Sequence, residues 1–262
     1  MKTTFLFFAL MITMASASAQ DNPALSHAKQ NLKEWRDSRT SLLMDDFGEL
    51  ARYEKANAAI PTLAPGENRV VFFGDSITDG WDLAKSFPQN TYINRGISGQ
   101  TTSQMLLRFR EDVVNLQPKV VLILAGTNDI AGNTGPMPLA VTEANFASMA
   151  EIARANRIRV VFSSVLPVHN YTPDSDKFFP LRSTQQVSAL NTWLKRYCSE
   201  HELIYLDYYS EMLDEKGLLK RELSEDGLHP NTAGYATMAP LAAAAIRQAL
   251  QSESSEKIKP GN

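Results

Sequence analysis

Five short apolar runs, separated by longer amphipathic stretches, constrain the fold of this chain more than any other feature. The runs are RVVFFGD (69–75), TYIN (91–94), KVVLILAG (119–126), IRVVFSSVL (158–166) and LIYLD (203–207). Each is too short for a helix and rich in β-branched or aromatic residues, as strands are. In 101–117, 139–156, 182–200 and 232–250 apolar residues instead recur at helical spacing. This β-α alternation predicts a parallel sheet covered by helices on both faces. An uninterrupted run such as VVLILA fits a strand buried on both sides.

A chain of 262 residues accommodates one such domain with a sizeable core. Residues 69–250 are expected to form it, followed by a disordered tail over 251–262. Residues 20–68 hold too few apolar side chains for a core of their own and end in the breaker PTLAPGEN, so they read as a partly helical extension packed on the domain. Before them, Lys2, an apolar run from Phe5 to Met14 and an A-x-A pattern at 17–19 read as a cleaved signal peptide over 1–19. The run falls short of the ~20 residues a permanent span needs. No cysteine stands at the cleavage point to carry a lipid, so an exported soluble product, periplasmic or extracellular, is expected to begin near Gln20. The 26 basic and 29 acidic residues balance without blocks of like charge, which argues against nucleic acid and anionic membrane surfaces and for a small or neutral ligand. The lone cysteine, Cys198, lies among Trp193, Leu194 and Tyr197 and reads as a packed thiol.

Sites in open parallel sheets lie beyond the carboxyl ends of the strands. The first run ends in Gly74-Asp75-Ser76 where a helix begins, which raises the choice between a turn of small residues and a nucleophile. A serine hydroxyl needs a neighbouring base. Of the four histidines, His27 and His201 read as surface or capping residues, and His169 follows a strand on the active edge, where it is a candidate for substrate contact. His229 stands in SEDGLHPNTAGY, three residues after Asp226, so one compact loop can bring a carboxylate to its imidazole. A solvent loop in which Asp226 merely caps a turn has the same pattern. Donors for an oxyanion are also expected at strand ends: the Ser76 N–H, the backbone at Gly99 and the side-chain amide of Asn128.

GDSIT (74–78), NRGISGQTT (94–102), GTND (126–129) and DGLHPN (226–231) resemble, in order, the four blocks of the SGNH (GDSL-type) hydrolase family, over about Arg69 to Leu250. The resemblance implies a three-layer, flavodoxin-like fold around a five-stranded parallel sheet and a serine esterase mechanism without metal or organic cofactor. It makes Ser76 the nucleophile, Asp226 and His229 the acid and base, and Ser76 N–H, Gly99 N–H and Asn128 Nδ2 the oxyanion donors. Ile77 stands where the family's leucine is, a conservative change. Asp75 and Asp129 read as structural carboxylates that satisfy turn donors.

The implied substrate is a small-molecule ester, with short acyl groups such as O-acetyl on carbohydrates expected ahead of lysophospholipids or other lipids. An acyltransferase and a non-catalytic binding module are the other readings. A metal-dependent hydrolase is disfavoured by the lack of H-E-x-x-H or similar spacing. The long segment LPVHNYTPDSDKFFPL (166–181) lies on the active edge; its Tyr171, Phe178 and Phe179 either bind substrate or form a satellite core.

Overall fold

The computed structural model describes residues 22–256; the expected signal over 1–19 and residues 257–262 of the expected tail lie outside this range. Five strands, β1 (Val70–Gly74), β2 (Ile93–Gly96), β3 (Val120–Leu124), β4 (Arg159–Ser163) and β5 (Ile204–Leu206), form one parallel sheet in the order β2-β1-β3-β4-β5. This is the flavodoxin-like order, whose direction of winding reverses between β1 and β3. The helices are α1 (Pro23–Asp45), α2 (Glu54–Ala58), α3 (Ser76–Asp79), α4 (Leu83–Ser86), α5 (Thr102–Asp112), α6 (Thr127–Ala131), α7 (Leu139–Ala155), α8 (Thr184–Glu200), α9 (Tyr208–Met212) and α10 (Thr232–Glu256). The last of these passes the boundary expected at 250.

Side chains alternate across the sheet and give the core two halves. Val71, Phe73, Val121, Ile123 and Phe162 pack with residues of α5, α7 and α8 on one face. Val70, Phe72, Val120, Leu122 and Val161 pack with residues of α10 on the other. The continuous apolar runs are therefore buried on both faces, as parallel strands require. Truncating one of these phenylalanines to alanine costs about 3–5 kcal/mol through lost burial and the cavity left behind. Cys198 is buried in the first half of the core, where burial pushes its thiol up to about 12 and leaves it unreactive.

Local signals set the elements around the strand ends. Asn22 caps α1 by accepting from the N–H groups of Ala24 and Leu25, with Pro23 in the first turn. A reciprocal capping box between Thr101 and Gln104 starts α5. Arg108 and Asp112 pair at 2.9 Å with almost no exposure, and the same guanidinium donates to the carbonyls of Gly74 and Arg95. One buried cation thus ties the ends of β1 and β2 to α5. The extension folds back rather than standing apart: α1 packs against 173–177 and 179–181, and α2 against α5.

Candidate active site

The strand ends converge at the reversal between β1 and β3, where the loop after α9 also arrives. Ser76 opens α3 one residue beyond the end of β1; the intervening Asp75 caps the helix by accepting from the Ile77 N–H at 3.0 Å and so sets the turn. Tyr235 of α10 donates to the Ile77 carbonyl at 2.9 Å and fastens that turn from the other side.

The loop 224–230 is built to aim one imidazole. Asp226 Oδ1 accepts from the N–H groups of Leu228 and His229 at 2.9 and 2.8 Å, and Oδ2 lies 2.7 Å from His229 Nδ1. The carboxylate thus holds Nδ1 as the N–H bearing nitrogen and leaves Nε2 as the acceptor, 2.9 Å from Ser76 Oγ. Burial would raise the Asp226 carboxyl, but the side-chain and backbone hydrogen bonds from His229 and that from Leu228 outweigh it and hold the group well below the usual carboxylate range. Gly227 has φ of +82°, and a Cβ there would stand 2.4 Å from the His169 carbonyl oxygen, so the tight loop requires glycine.

The oxyanion candidates face the same cavity of about 590 Å³, lined also by Ser76, His229 and Phe178. Asn128 Nδ2 gives one hydrogen to the Gln100 carbonyl at 3.0 Å, which leaves its second for the cavity. Gly99 has φ of +83°, and a Cβ there would lie 2.5 Å from Trp35 Cζ2. Asn133 joins the two, donating from Nδ2 to the Gly99 carbonyl and from its backbone to the Asn128 carbonyl, each at 2.9 Å.

Arg182 is a residue that the sequence reading missed. It is buried, with Nε donating to Thr127 Oγ1 at 2.9 Å, Nη1 to the Phe178 carbonyl at 3.2 Å and Nη2 to Asn128 Oδ1 at 3.1 Å. The guanidinium therefore fixes which way the Asn128 amide faces and polarises it, strengthening its N–H groups as donors. Burial lowers the Arg182 pKa to about 10, partly offset by Asp75 and Asp226, so it stays charged at neutral pH. No sequence pattern marks it, since it lies in an irregular segment far from Asn128 in the chain.

Of the expected site residues, Ser76, Gly99, Asn128, Phe178 and His229 line the cavity, with Asp226 behind His229. Phe178 sets its ring edge-to-face on the imidazole, 5.4 Å between centroids. His169 and Tyr171 do not reach the cavity, which corrects the expectation of substrate contact. His169 is fully buried: Nδ1 accepts from the Tyr171 N–H at 3.2 Å, so Nε2 carries the proton and donates to the Ser224 carbonyl at 3.1 Å. It thereby braces the loop that holds His229. Tyr171 stacks on His169 and donates to Asp214. His27 is exposed, as expected of a surface residue, and it also stands at the cavity from α1.

Asp129 accepts from the backbone and hydroxyl of Thr102, which makes it structural as expected. Asp75 is fully buried, and its Oδ2 has no partner among the described residues. Burial raises its carboxyl to about 6. No cluster of His, Cys, Asp or Glu among the described residues has the geometry to hold a metal ion. What the arrangement can do is remove a proton from Ser76 Oγ and stabilise negative charge developing on an oxygen beside Gly99 and Asn128.

The model of the GDSL-like lipase/acylhydrolase family matches residues 72–237. A GDSL-like lipase of Bacteroides thetaiotaomicron, 42% identical, covers 78% of this chain and 100% of its own, with a TM-score of 0.72. The esterase TesA of Pseudomonas aeruginosa is 25% identical over 74% of this chain and 90% of its own length. The lipoprotein YqeF of Bacillus subtilis is 32% identical over 39% of this chain, a match that spans half of that protein.

Proposed function

The chain belongs to the GDSL-like lipase/acylhydrolase family, and from that premise we propose that it is an exported serine esterase that removes short acyl groups through an acyl-Ser76 intermediate. The observation that carries the mechanism is the line from Asp226 Oδ2 through the His229 imidazole to Ser76 Oγ, with contacts of 2.7 and 2.9 Å. His229 Nε2 takes the Ser76 proton as Oγ attacks the ester carbonyl, and the Ser76 N–H, Gly99 N–H and Asn128 Nδ2 receive the oxyanion. The resulting imidazolium, steadied by Asp226, gives its proton to the departing alcohol. Water then enters and attacks the acyl carbonyl as it loses a proton to the same nitrogen; that proton passes to Oγ as the acyl–Oγ bond breaks and the acid leaves, which restores Ser76 and neutral His229.

Two features support a short acyl group. The Trp35 ring edge stands against Gly99 and closes the cavity beside the oxyanion donors. The wall also carries Asn31, whose side chain has no partner among the described residues and would be left unsatisfied under a long alkyl chain. O-acetyl groups on carbohydrates fit these features. Leu32, Leu181 and Leu228 also line the cavity and favour a second reading, hydrolysis of lipid acyl esters. A series of 4-nitrophenyl esters from acetate upward decides between them: a maximum at acetate or propionate supports the first reading and a maximum at long chains the second. Loss of turnover in Ser76→Ala is expected in either case, and its retention would end both.

The sequence over 1–19 supports export, as does the kinship with a protein described as a lipoprotein. Among the described residues no helix is long and apolar enough to cross a membrane. The division into an extension over 20–68 and a hydrolase domain from 69 belongs to the same proposal. Sequencing the amino terminus of the mature protein tests export, with a start near Gln20 expected.

A further inference from the structure

One helix outside the residues matched by the family model forms a wall of the cavity. His27, Asn31, Trp35 and Arg39 recur every fourth residue along α1, and all four line it. At 1.5 Å of rise per residue the stripe runs about 18 Å. Arg36, on the neighbouring row, donates to the carbonyls of Gly132 and Asn133, so α1 is clamped to the loop that also positions Gly99 and Asn128.

The stripe presents hydrogen-bonding groups without partners. Among the described residues the side chains of His27 and Asn31 have none. Arg39 Nη1 likewise has no partner, whereas its Nε is sealed from water and so from the cavity. Yet the stripe's charge is already balanced. Arg39 Nη2 pairs with Glu49 Oε1 at 2.7 Å, and Glu49 is held at φ of +53°, unusual for a residue with a side chain, in a buried position beside Gln100. Lys177 on the opposite wall pairs with Asp174 at 2.9 Å. The Arg182 guanidinium already donates to three partners. A phosphate or carboxylate on the substrate would need a free cation; Arg39 and Arg182 are held by buried partners and Lys177 stands in an exposed pair at the rim, whereas a neutral polyol needs donors and acceptors, which the stripe supplies.

We propose that α1 is the alcohol-recognition element of the site: Asn31, Arg39 and His27 hydrogen-bond the hydroxyls of an uncharged acylated oligosaccharide while Trp35 closes the acyl side at Gly99. This rests on the esterase reading above. The test measures kcat/KM on acetylated xylo-oligosaccharides and on 4-nitrophenyl acetate for wild type, Asn31→Ala and Arg39→Lys. Asn31→Ala replaces a weak helix former by a strong one and so keeps the fold; Arg39→Lys keeps a cation opposite Glu49 and deletes the open Nη1. The ratio of the two constants, sugar over 4-nitrophenyl ester, is expected to fall at least tenfold in Asn31→Ala and severalfold in Arg39→Lys. A ratio that stays put in both variants overturns the proposal. So does a wild type that cleaves 4-nitrophenyl acetate but leaves the oligosaccharide intact, or that deacylates lysophosphatidylcholine vesicles faster than it does the sugar. A wild type inert toward all three substrates would instead bring down the esterase reading, and this proposal with it.

Discussion

Ser76 Oγ and His229 Nε2 stand 2.9 Å apart although 153 positions of chain separate them. The first follows the first strand and the second precedes the last helix, so the contact exists only when the sheet is complete. Groups that act as one unit lose their effect together. Ser76→Ala, His229→Ala and the double variant should therefore show similar residual rates, each about 10³-fold or more below wild type. Rates that multiply in the double variant would show that the two act separately.

Asn128→Ala removes one oxyanion donor and should lower kcat by roughly 10²–10³ while KM changes much less. Circular dichroism should show the native fold, with a melting temperature a few degrees lower, because Arg182 Nη2 and the Gln100 carbonyl lose a buried partner. A fall confined to KM would move Asn128 from oxyanion stabilisation to ground-state binding.

Arg182→Lys keeps a positive charge but loses the planar fork that reaches Thr127, Asn128 and Phe178 together. Arg182 acts through Asn128, so it is a positioning residue. About a tenfold loss in kcat is expected, with KM largely retained, and no further loss when Arg182→Lys is added to Asn128→Ala. Additive losses would mean that Arg182 meets the substrate directly.

Asp75 couples stability to pH. Its carboxyl moves from an ordinary value of 3.8 to about 6 on folding, because burial disfavours the charge. The folded chain binds that proton more tightly, so the associated stability is complete below about pH 4 and is lost as pH rises through 6, amounting to about 3 kcal/mol. Asp226 acts in the opposite sense, stabilising above the usual carboxylate range and ceasing to do so on acidification. Asp75→Asn keeps an acceptor for the Ile77 N–H and removes the charge. Its gain over wild type in urea midpoint should grow from pH 4 to pH 7, and a gain that is flat with pH would contradict the shift.

The fold was legible because parallel strands buried on both faces leave an unmistakable trace, and VVLILA and RVVFFG carry it. Ser76 and Asn128 were legible as candidates because they stand at strand ends, whereas the Asp226–His229 spacing alone fitted a capped solvent loop as well and was decided by the resemblance of four ordered blocks to the SGNH family. His169 was misjudged by the same strand-end rule. It does follow a strand, but nothing local reveals that Gly227 and Ser224 fold over it and take its hydrogen bonds. Arg182 and the α1 stripe were missed because their meaning depends on contacts made far along the chain. The every-fourth-residue series His27, Asn31, Trp35, Arg39 was nonetheless visible as one polar and aromatic face on a helix with a single fully buried residue, Ala28.

Covalent trapping tests the central claim most directly. Incubation with a fluorophosphonate followed by peptide mapping should find a single adduct, on Ser76, formed in step with the loss of 4-nitrophenyl acetate hydrolysis and much more slowly in His229→Ala. An adduct on another residue, or full esterase activity in protein whose Ser76 is phosphonylated, would contradict it.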